Sequence, residues 1–425
     1  MTHQNYFKIF SAPKKTFNSF QNNWEEHFKN NQLKTNIIYL DTASSTPVDA
    51  RVVKQMEPYF YNYYGNSSNF LHPMGEMAKN ALEAARQILS EIFTVEADEI
   101  FFTSSATESN NLFLRGLLEH PLQKRKKIIT CVTEHSSITN TARILCENLG
   151  SRLGFEFVTI GVDKNGQINL EDAAKIIDEK TLCVCVMDVN NETGIVHTTL
   201  PEIEKLTHAK GALLHVDSAQ GFARHSVFAQ GVNFDTAVIS ASKIYAPKGA
   251  SAFIMKKRRP RILMSPQITG GAQESGMRAS SVNVAGMVGF AYACLLQKQE
   301  CEQRLSYYEM LEDAFVEEMK KNIDACFYGL NTTKIKGILS LSIPNVNAMK
   351  LLENTPSVCA SVGSACKTLQ ATASHVLMAM GVELEQALSS FRVSFGLCNT
   401  KEEVILAAKT LAKNAHELRK SSAWI

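Results

Sequence analysis

Two stretches decide the fold: Ala212-Leu-Leu-His-Val-Asp217-Ser-Ala-Gln220 and, a short way on, Ala237-Val-Ile-Ser240-Ala-Ser242-Lys243. Each starts as a short apolar run without alternation and breaks into polar residues at its end. Continuous apolar runs suit strands covered on both faces, as in a mostly parallel α/β sheet. Working outward, the same pattern predicts strands at Ile100–Thr103, Ile128–Val132, Phe155–Ile160, Leu182–Met187 and Ala252–Met255, which with Ala212–Val216 and Ala237–Ser240 make seven. Helical patterns lie between them. Ala78, Ala81, Leu82, Ala85, Ile88, Leu89 and Ile92 form one apolar stripe at helical spacing, and further helices are predicted over 106–118, 136–149, 170–178 and 201–209. Beyond the alternation, residues 284–322 read as one long or broken helix. Strand-like segments at 337–343 and 391–395, a glycine-containing loop at 361–366 and a helix at 401–419 follow, as in a smaller α+β unit. The expected organisation is an N-terminal arm over 1–37, a large domain over 38–296 built on a mostly parallel seven-stranded sheet, and a small domain over 297–425.

Composition bounds the function. The 425 residues carry 44 Lys+Arg against 42 Asp+Glu, a net charge of +2, which excludes a strongly basic nucleic-acid footprint. At 45% hydrophobic and 20% charged the chain is globular. Its 10 cysteines are unevenly spaced, unlike a disulfide scaffold, and show no zinc spacing, so no metal is expected. There is no run of about 18 apolar residues for a membrane span. The first 36 residues hold seven aromatics, five Lys and no Arg, and lack the apolar region of a secretory signal. Free cysteines without an export signal point to the cytoplasm.

Ligands of open parallel sheets bind outside the carboxyl ends of the strands, which is where the polar residues fall. Asp217, Ser240-Ala-Ser242-Lys243, Ser104-Ser-Ala106-Thr107, Thr133-Glu-His135 and Asn190-Asn-Glu192 all follow expected strands. Pyridoxal phosphate (PLP) needs a Lys for a Schiff base and an acid for its ring nitrogen. Its phosphate needs short hydroxyl donors and free N–H groups at a helix N-terminus. Lys243, Asp217 and the Ser/Thr set supply these types, and His135 could stack on the ring.

Taken with Tyr39-Leu-Asp-Thr-Ala-Ser-Ser-Thr-Pro47, Gly65-Asn66, Phe102-Thr-Ser-Ser-Ala-Thr-Glu-Ser109, Val189-Asn-Asn-Glu-Thr-Gly194, Lys243-Ile-Tyr-Ala-Pro-Lys-Gly249, Gly276-Met-Arg-Ala-Ser-Ser281, Gly363-Ser-Ala-Cys366 and Arg392-Val-Ser-Phe-Gly396, these segments resemble the NifS-type cysteine desulfurases of the fold-type I PLP enzymes. The resemblance runs from about residue 38 to the C-terminus. It implies that Lys243 forms the Schiff base, Asp217 pairs with the ring nitrogen, Gln220 contacts the ring hydroxyl, and His135 stacks and moves protons. It further implies that Ala106, Thr107, Ser240 and Ser242 hold the phosphate, with Ser281 reaching it from a second subunit of a homodimer. Asn190, also in contact with the cofactor, and Arg392 would hold the substrate carboxylate, and Cys366 would attack the substrate sulfur. The implied substrate is L-cysteine, converted to alanine with the sulfur left as a persulfide for an acceptor protein. Iron–sulfur cluster, thionucleoside and cofactor synthesis all remain open as pathways.

The chain departs from the family pattern at four places. Ser242 stands where His is usual, Ser105 where a Gly would allow close backbone approach, Gln273 where His is common, and Ser281 where Thr is usual. Two other readings stay open: a selenocysteine lyase, which Asn190-Asn-Glu-Thr-Gly-Ile-Val196 and Ala360-Ser-Val-Gly363 resemble, and a non-catalytic relative serving as a binding or sulfur-relay partner.

Overall fold

A computed structural model describes residues 37–224, 231–363 and 373–420. Most of the expected arm, and Cys366 with its loop, lie outside the described residues.

All seven expected strands form and join one sheet. They are β2 (Ile100–Thr103), β3 (Lys127–Cys131), β4 (Glu156–Ile160), β5 (Thr181–Met187), β6 (Leu213–Asp217), β7 (Thr236–Ser240) and β8 (Ser251–Met255), numbered after the short N-terminal strand β1 (Ile38–Tyr39). The order across the sheet is β2-β8-β7-β6-β5-β3-β4. The ladders β3–β4, β3–β5, β5–β6 and β6–β7 are parallel, and β8 runs against both β2 and β7. Alternate residues serve different cores. Val184 and Val186 of β5 join the cluster beneath the helices Pro73–Phe93 and Val284–Gln299, while Cys183 and Cys185 join the one beneath Ala106–Leu118 and Ser136–Leu153. With apolar side chains needed on both faces, the strands read as unbroken apolar runs.

Helix ends have local causes. Pro73 occupies the first turn of Pro73–Phe93, where its missing N–H costs nothing, and His72 Nδ1 accepts from Gly75 N–H at 3.1 Å. The expected helix over 284–322 is two, Val284–Gln299 and Cys301–Asn322, broken at Glu300.

The second core is built on β9 (Cys326–Tyr328), β10 (Ile338–Ser342) and β12 (Ser390–Ser394) in the antiparallel order β12-β10-β9, covered by Cys301–Asn322 and Lys401–Lys420. Strand β1 pairs parallel with β11 (Val358–Cys359), and Ile38 and Leu40 are buried in this second core. Ile38 and Leu40, expected at the opening of the large domain, thus pack inside the smaller unit. The sequence hides this because the partner strand lies about 320 residues on.

Candidate active site

The register of the sheet brings the strand ends together. Thr103 at the end of β2 pairs with Ser251 at the start of β8, and Ser251 pairs with Ser240 at the end of β7. Because β8 runs backwards, its first residue lies at the same edge as its neighbours' last ones. The polar turns after β2 and β7 therefore flank each other. Asp217 ends β6, opposite Met187 of β5 and Val238 of β7. These ends open on a cleft of about 610 Å³.

Of the residues singled out from sequence, Ala106, Thr107, His135, Asp217, Gln220, Ser240, Ser242, Lys243 and Arg392 line this cleft. Two do not. Asn190 is buried, its Oδ1 accepting from Glu192 N–H at 2.9 Å, Thr193 N–H at 3.0 Å and the Thr193 hydroxyl at 3.1 Å. Its amide donates to Thr133 O at 3.3 Å. That side chain is fully used in holding its own turn, so its expected place on cofactor and substrate is corrected: Asn191 lines the cleft instead. Ser281 is exposed and is not part of the lining of its own chain's cleft.

The phosphate end has the expected chemistry. The helix Ala106–Leu118 points its first turn at the cleft, and its first N–H groups have no partner within the helix. Ser105 is the N-cap, its Oγ accepting from Glu108 N–H at 3.1 Å. With φ −166° and ψ 160° Ser105 is plain extended backbone, so the turn makes no demand for glycine. Ser240 and Ser242 place their hydroxyls 3.2 Å apart beside it. Glu108 braces the turn, accepting from Ser104 N–H at 2.9 Å and from the Ser104 hydroxyl and pairing with Arg278 at 2.8 Å. Burial works against its charged form, but the bonds from Arg278 and Ser104 outweigh burial and hold the carboxyl below its ordinary range.

At the ring end, Asp217 Oδ1 accepts from Ala219 N–H at 3.0 Å and Oδ2 from Asn110 Nδ2 at 2.8 Å. Gln220 Nε2 donates to Ala43 O at 2.6 Å. Gly221 follows because a Cβ there would stand 2.0 Å from the Asp188 carboxylate. Burial pushes His135 below its ordinary value, with Asp217 opposing and Lys243 and His375 reinforcing the shift. Lys243 Nζ donates to Ser44 O.

Arg392, on β12, comes from the second core. Its Nη1 donates to Asn191 O and its Nη2 to Asp41 Oδ1 and Ser44 Oγ, each at 2.7 Å. Its Nε is buried with no partner among the described residues. Its backbone exchanges hydrogen bonds with Ser361, N–H to O at 2.7 and 3.0 Å, so the strand carrying Arg392 also anchors the run toward Cys366. Gly363, at φ +49° and on the cleft wall, is the last described residue before Cys366. Burial holds the Cys359 thiol above its ordinary value, away from reactivity.

The sequence reading missed Asn191, Ser44, Asp41, Asn110 and His375. His375 lines the cleft with Nε2 donating to Glu134 O at 3.2 Å and Nδ1 3.8 Å from Glu192. Asp41, Ser44 and Asn191 lay within segments already quoted; nothing in the sequence signals Asn110 or His375.

A lysine, a buried carboxylate, an imidazole and a hydroxyl-lined helix N-terminus in one cleft define the site of a PLP-type enzyme, and that donor set fits the cofactor. The aminotransferase class-V family matches residues 38–406. The chain belongs to that family, and within it to the NifS/IscS-type cysteine desulfurases. It is 35% identical to the cysteine desulfurase IscS of Rickettsia typhi over 396 residues, covering 92% of this chain and 95% of that one. Identity to the IscS of Ehrlichia chaffeensis is likewise 35%, over 91% and 92% of the two chains. A solved NifS-like protein superposes with a TM-score of 0.80 at 30% identity, covering 89% of this chain and 98% of that one. SspA, solved in complex with cysteine, superposes with a TM-score of 0.73 at 28% identity, over 84% and 98% of the chains. No helix among the described residues is long and apolar enough to cross a membrane.

Proposed function

We propose that the chain is a PLP-dependent cysteine desulfurase that converts L-cysteine to L-alanine and passes the sulfur on through Cys366. The observation that carries this reading is the meeting of Lys243, Asp217 and His135 with Arg392 from the other core in one cleft. When bound, PLP supplies an electron sink for charge developing at the substrate Cα. Lys243 anchors the cofactor and moves the Cα proton; Asp217 is the acceptor for the ring nitrogen. Ser240, Ser242 and the N-terminus of Ala106–Leu118 hold the phosphate.

Arg392, held in the cleft wall through its Nη atoms, presents its guanidinium to the substrate carboxylate, with Asn191 beside it. The Cys366 thiolate forms an S–S bond with the substrate sulfur as the Cβ–S bond breaks; the electron pair stays on carbon, which takes a proton from the His135 side. SspA in complex with cysteine supports the substrate assignment. The exposed Ser281, away from its own cleft, suits a homodimer in which it serves the partner's phosphate. A sulfur-acceptor protein completes turnover, and the free thiols among the described cysteines suit the cytoplasm.

Mass spectrometry after incubation with cysteine tests the reading. One extra sulfur is expected on Cys366, and none in Lys243→Ala, which should also be colourless. Alanine production by Cys366→Ala at the wild-type rate would overturn the persulfide route.

A further inference from the structure

Asn110 lies on the inner face of Ala106–Leu118 and is fully buried, yet it does not line the cleft. Its amide nitrogen has two hydrogens and two acceptors: Asp217 Oδ2 at 2.8 Å and Ser137 Oγ at 2.8 Å. Its carbonyl Oδ1 lies 3.0 Å from His215 Nε2. The orientation is fixed by chemistry, because the nitrogen faces a carboxylate, which only accepts.

The proton positions of the whole chain then follow. Facing a carbonyl, His215 must donate from Nε2, so its Nδ1 accepts from the Thr236 hydroxyl at 2.8 Å. His215 is held for this single state. It is fully buried, stacked on Phe113 with ring centroids 4.1 Å apart, and pushed down to about 3 by burial. On the other side, Ser137 Oγ receives the Asn110 proton and directs its own hydrogen to His135 Nδ1 at 2.8 Å. The Ser137 backbone N–H donates to the same nitrogen at 3.1 Å. With two donors on Nδ1, His135 carries its proton on Nε2.

We propose that Asn110 is a positioning residue that acts on two groups of the cleft at once: it presents Asp217 as an acceptor for the cofactor's ring nitrogen, and through the Ser137 hydroxyl it reinforces the His135 tautomer that the Ser137 backbone N–H also favours. This rests on the PLP reading above and deepens it. Lys243, His375 and Glu192 also face His135, and Glu134 faces Asp217, but none of these four bridges the two groups. Asn110 touches Asp217 directly and reaches His135 through Ser137.

The test is the pH titration of the cofactor's visible absorbance in the purified holoprotein, run beside pH–rate profiles. Asn110→Leu keeps the volume and removes the donors. With less of its charge satisfied, Asp217 stabilises positive charge on the bound cofactor, so the absorbance midpoint should rise by about one pH unit, tenfold in the protonation equilibrium. Ser137→Ala keeps the Asn110–Asp217 bond. Its absorbance midpoint should stay at the wild-type value while the rate limb belonging to His135 moves.

If Asn110→Leu is poorly folded, Asn110→Ala, which leaves room for water, carries the same expectation with a smaller shift. An Asn110 variant that binds cofactor with the wild-type midpoint overturns the role of Asn110 and leaves the PLP reading intact. A wild-type protein that takes up no PLP overturns both.

Discussion

Asn190 and Asn191 are adjacent and chemically identical, and the fold gives them opposite tasks. Asn190 points inward, where its amide satisfies two backbone N–H groups and a hydroxyl of the Asn190–Gly194 turn. Asn191 stands on the cleft wall, and its carbonyl accepts from Arg392. Nothing in the pair's chemistry distinguishes them; only the turn's direction does. The measurements should separate the two. Asn191→Ala should raise the KM for cysteine several-fold with an unchanged melting temperature. Asn190→Ala, which strands buried donors at about 1–3 kcal/mol, should lower the melting temperature and reach KM only through loss of folded protein. A KM effect confined to Asn190→Ala would reverse the assignment.

Among the elements, Ala106–Leu118 carries most of the site. Ser105 caps it, Ala106 and Thr107 face the cleft, Glu108 ties it to Arg278, and Asn110 reaches Asp217. From sequence, Ser105 reads as a loss, a glycine replaced where the backbone would approach a phosphate. The structure gives Ser105 a task of its own. The residue is extended, so no glycine freedom is needed, and the hydroxyl caps the helix. Ser105→Ala should cost about 1 kcal/mol of stability and Ser105→Gly only a few tenths, read as shifts in chemical-denaturation midpoints. Equal stability of all three proteins would deny Oγ a capping role. The strands themselves were legible to within a residue at either end because all but the edge strand β4 are buried on both faces. The direction of β8 was not, since an apolar run reads the same whichever way it points.

At the scale of the molecule, buried histidines tie stability to pH. His215 is pushed down to about 3 and His197, buried, to about 4, against an ordinary 6.5. Both are neutral when folded, so below about pH 6.5 the unfolded chain binds two protons the folded chain refuses. Glu134 runs the other way. Burial first, then Asp217 and Asp188, hold its carboxyl well above the ordinary range, which offsets part of the histidine effect. His135 is pushed down by burial as well, so the histidines set the sign and acidification below pH 6.5 destabilises the fold. Stability contributed by the histidines is fully present above pH 6.5 and is lost as the pH falls. Urea midpoints should therefore drop between pH 6.5 and pH 5 at constant ionic strength, and a flat profile would contradict these buried states.

What the sequence determined by itself was the seven strands, the polar turns at their ends and, through those turns, the family. All three rest on local chemistry: apolar runs must be buried, and phosphate, carboxylate and Schiff-base chemistry each demand particular side chains. Only the tertiary structure decided which polar residues share the cleft. It paired β1 with β11 across most of the chain, put Ile38 and Leu40 in the smaller core, and brought Arg392 to Asp41 and Ser44. It also turned Asn190 away and Asn191 in, and buried Asn110 between two active-site groups. Those outcomes depend on register and on long-range packing, which residue types in a row do not record.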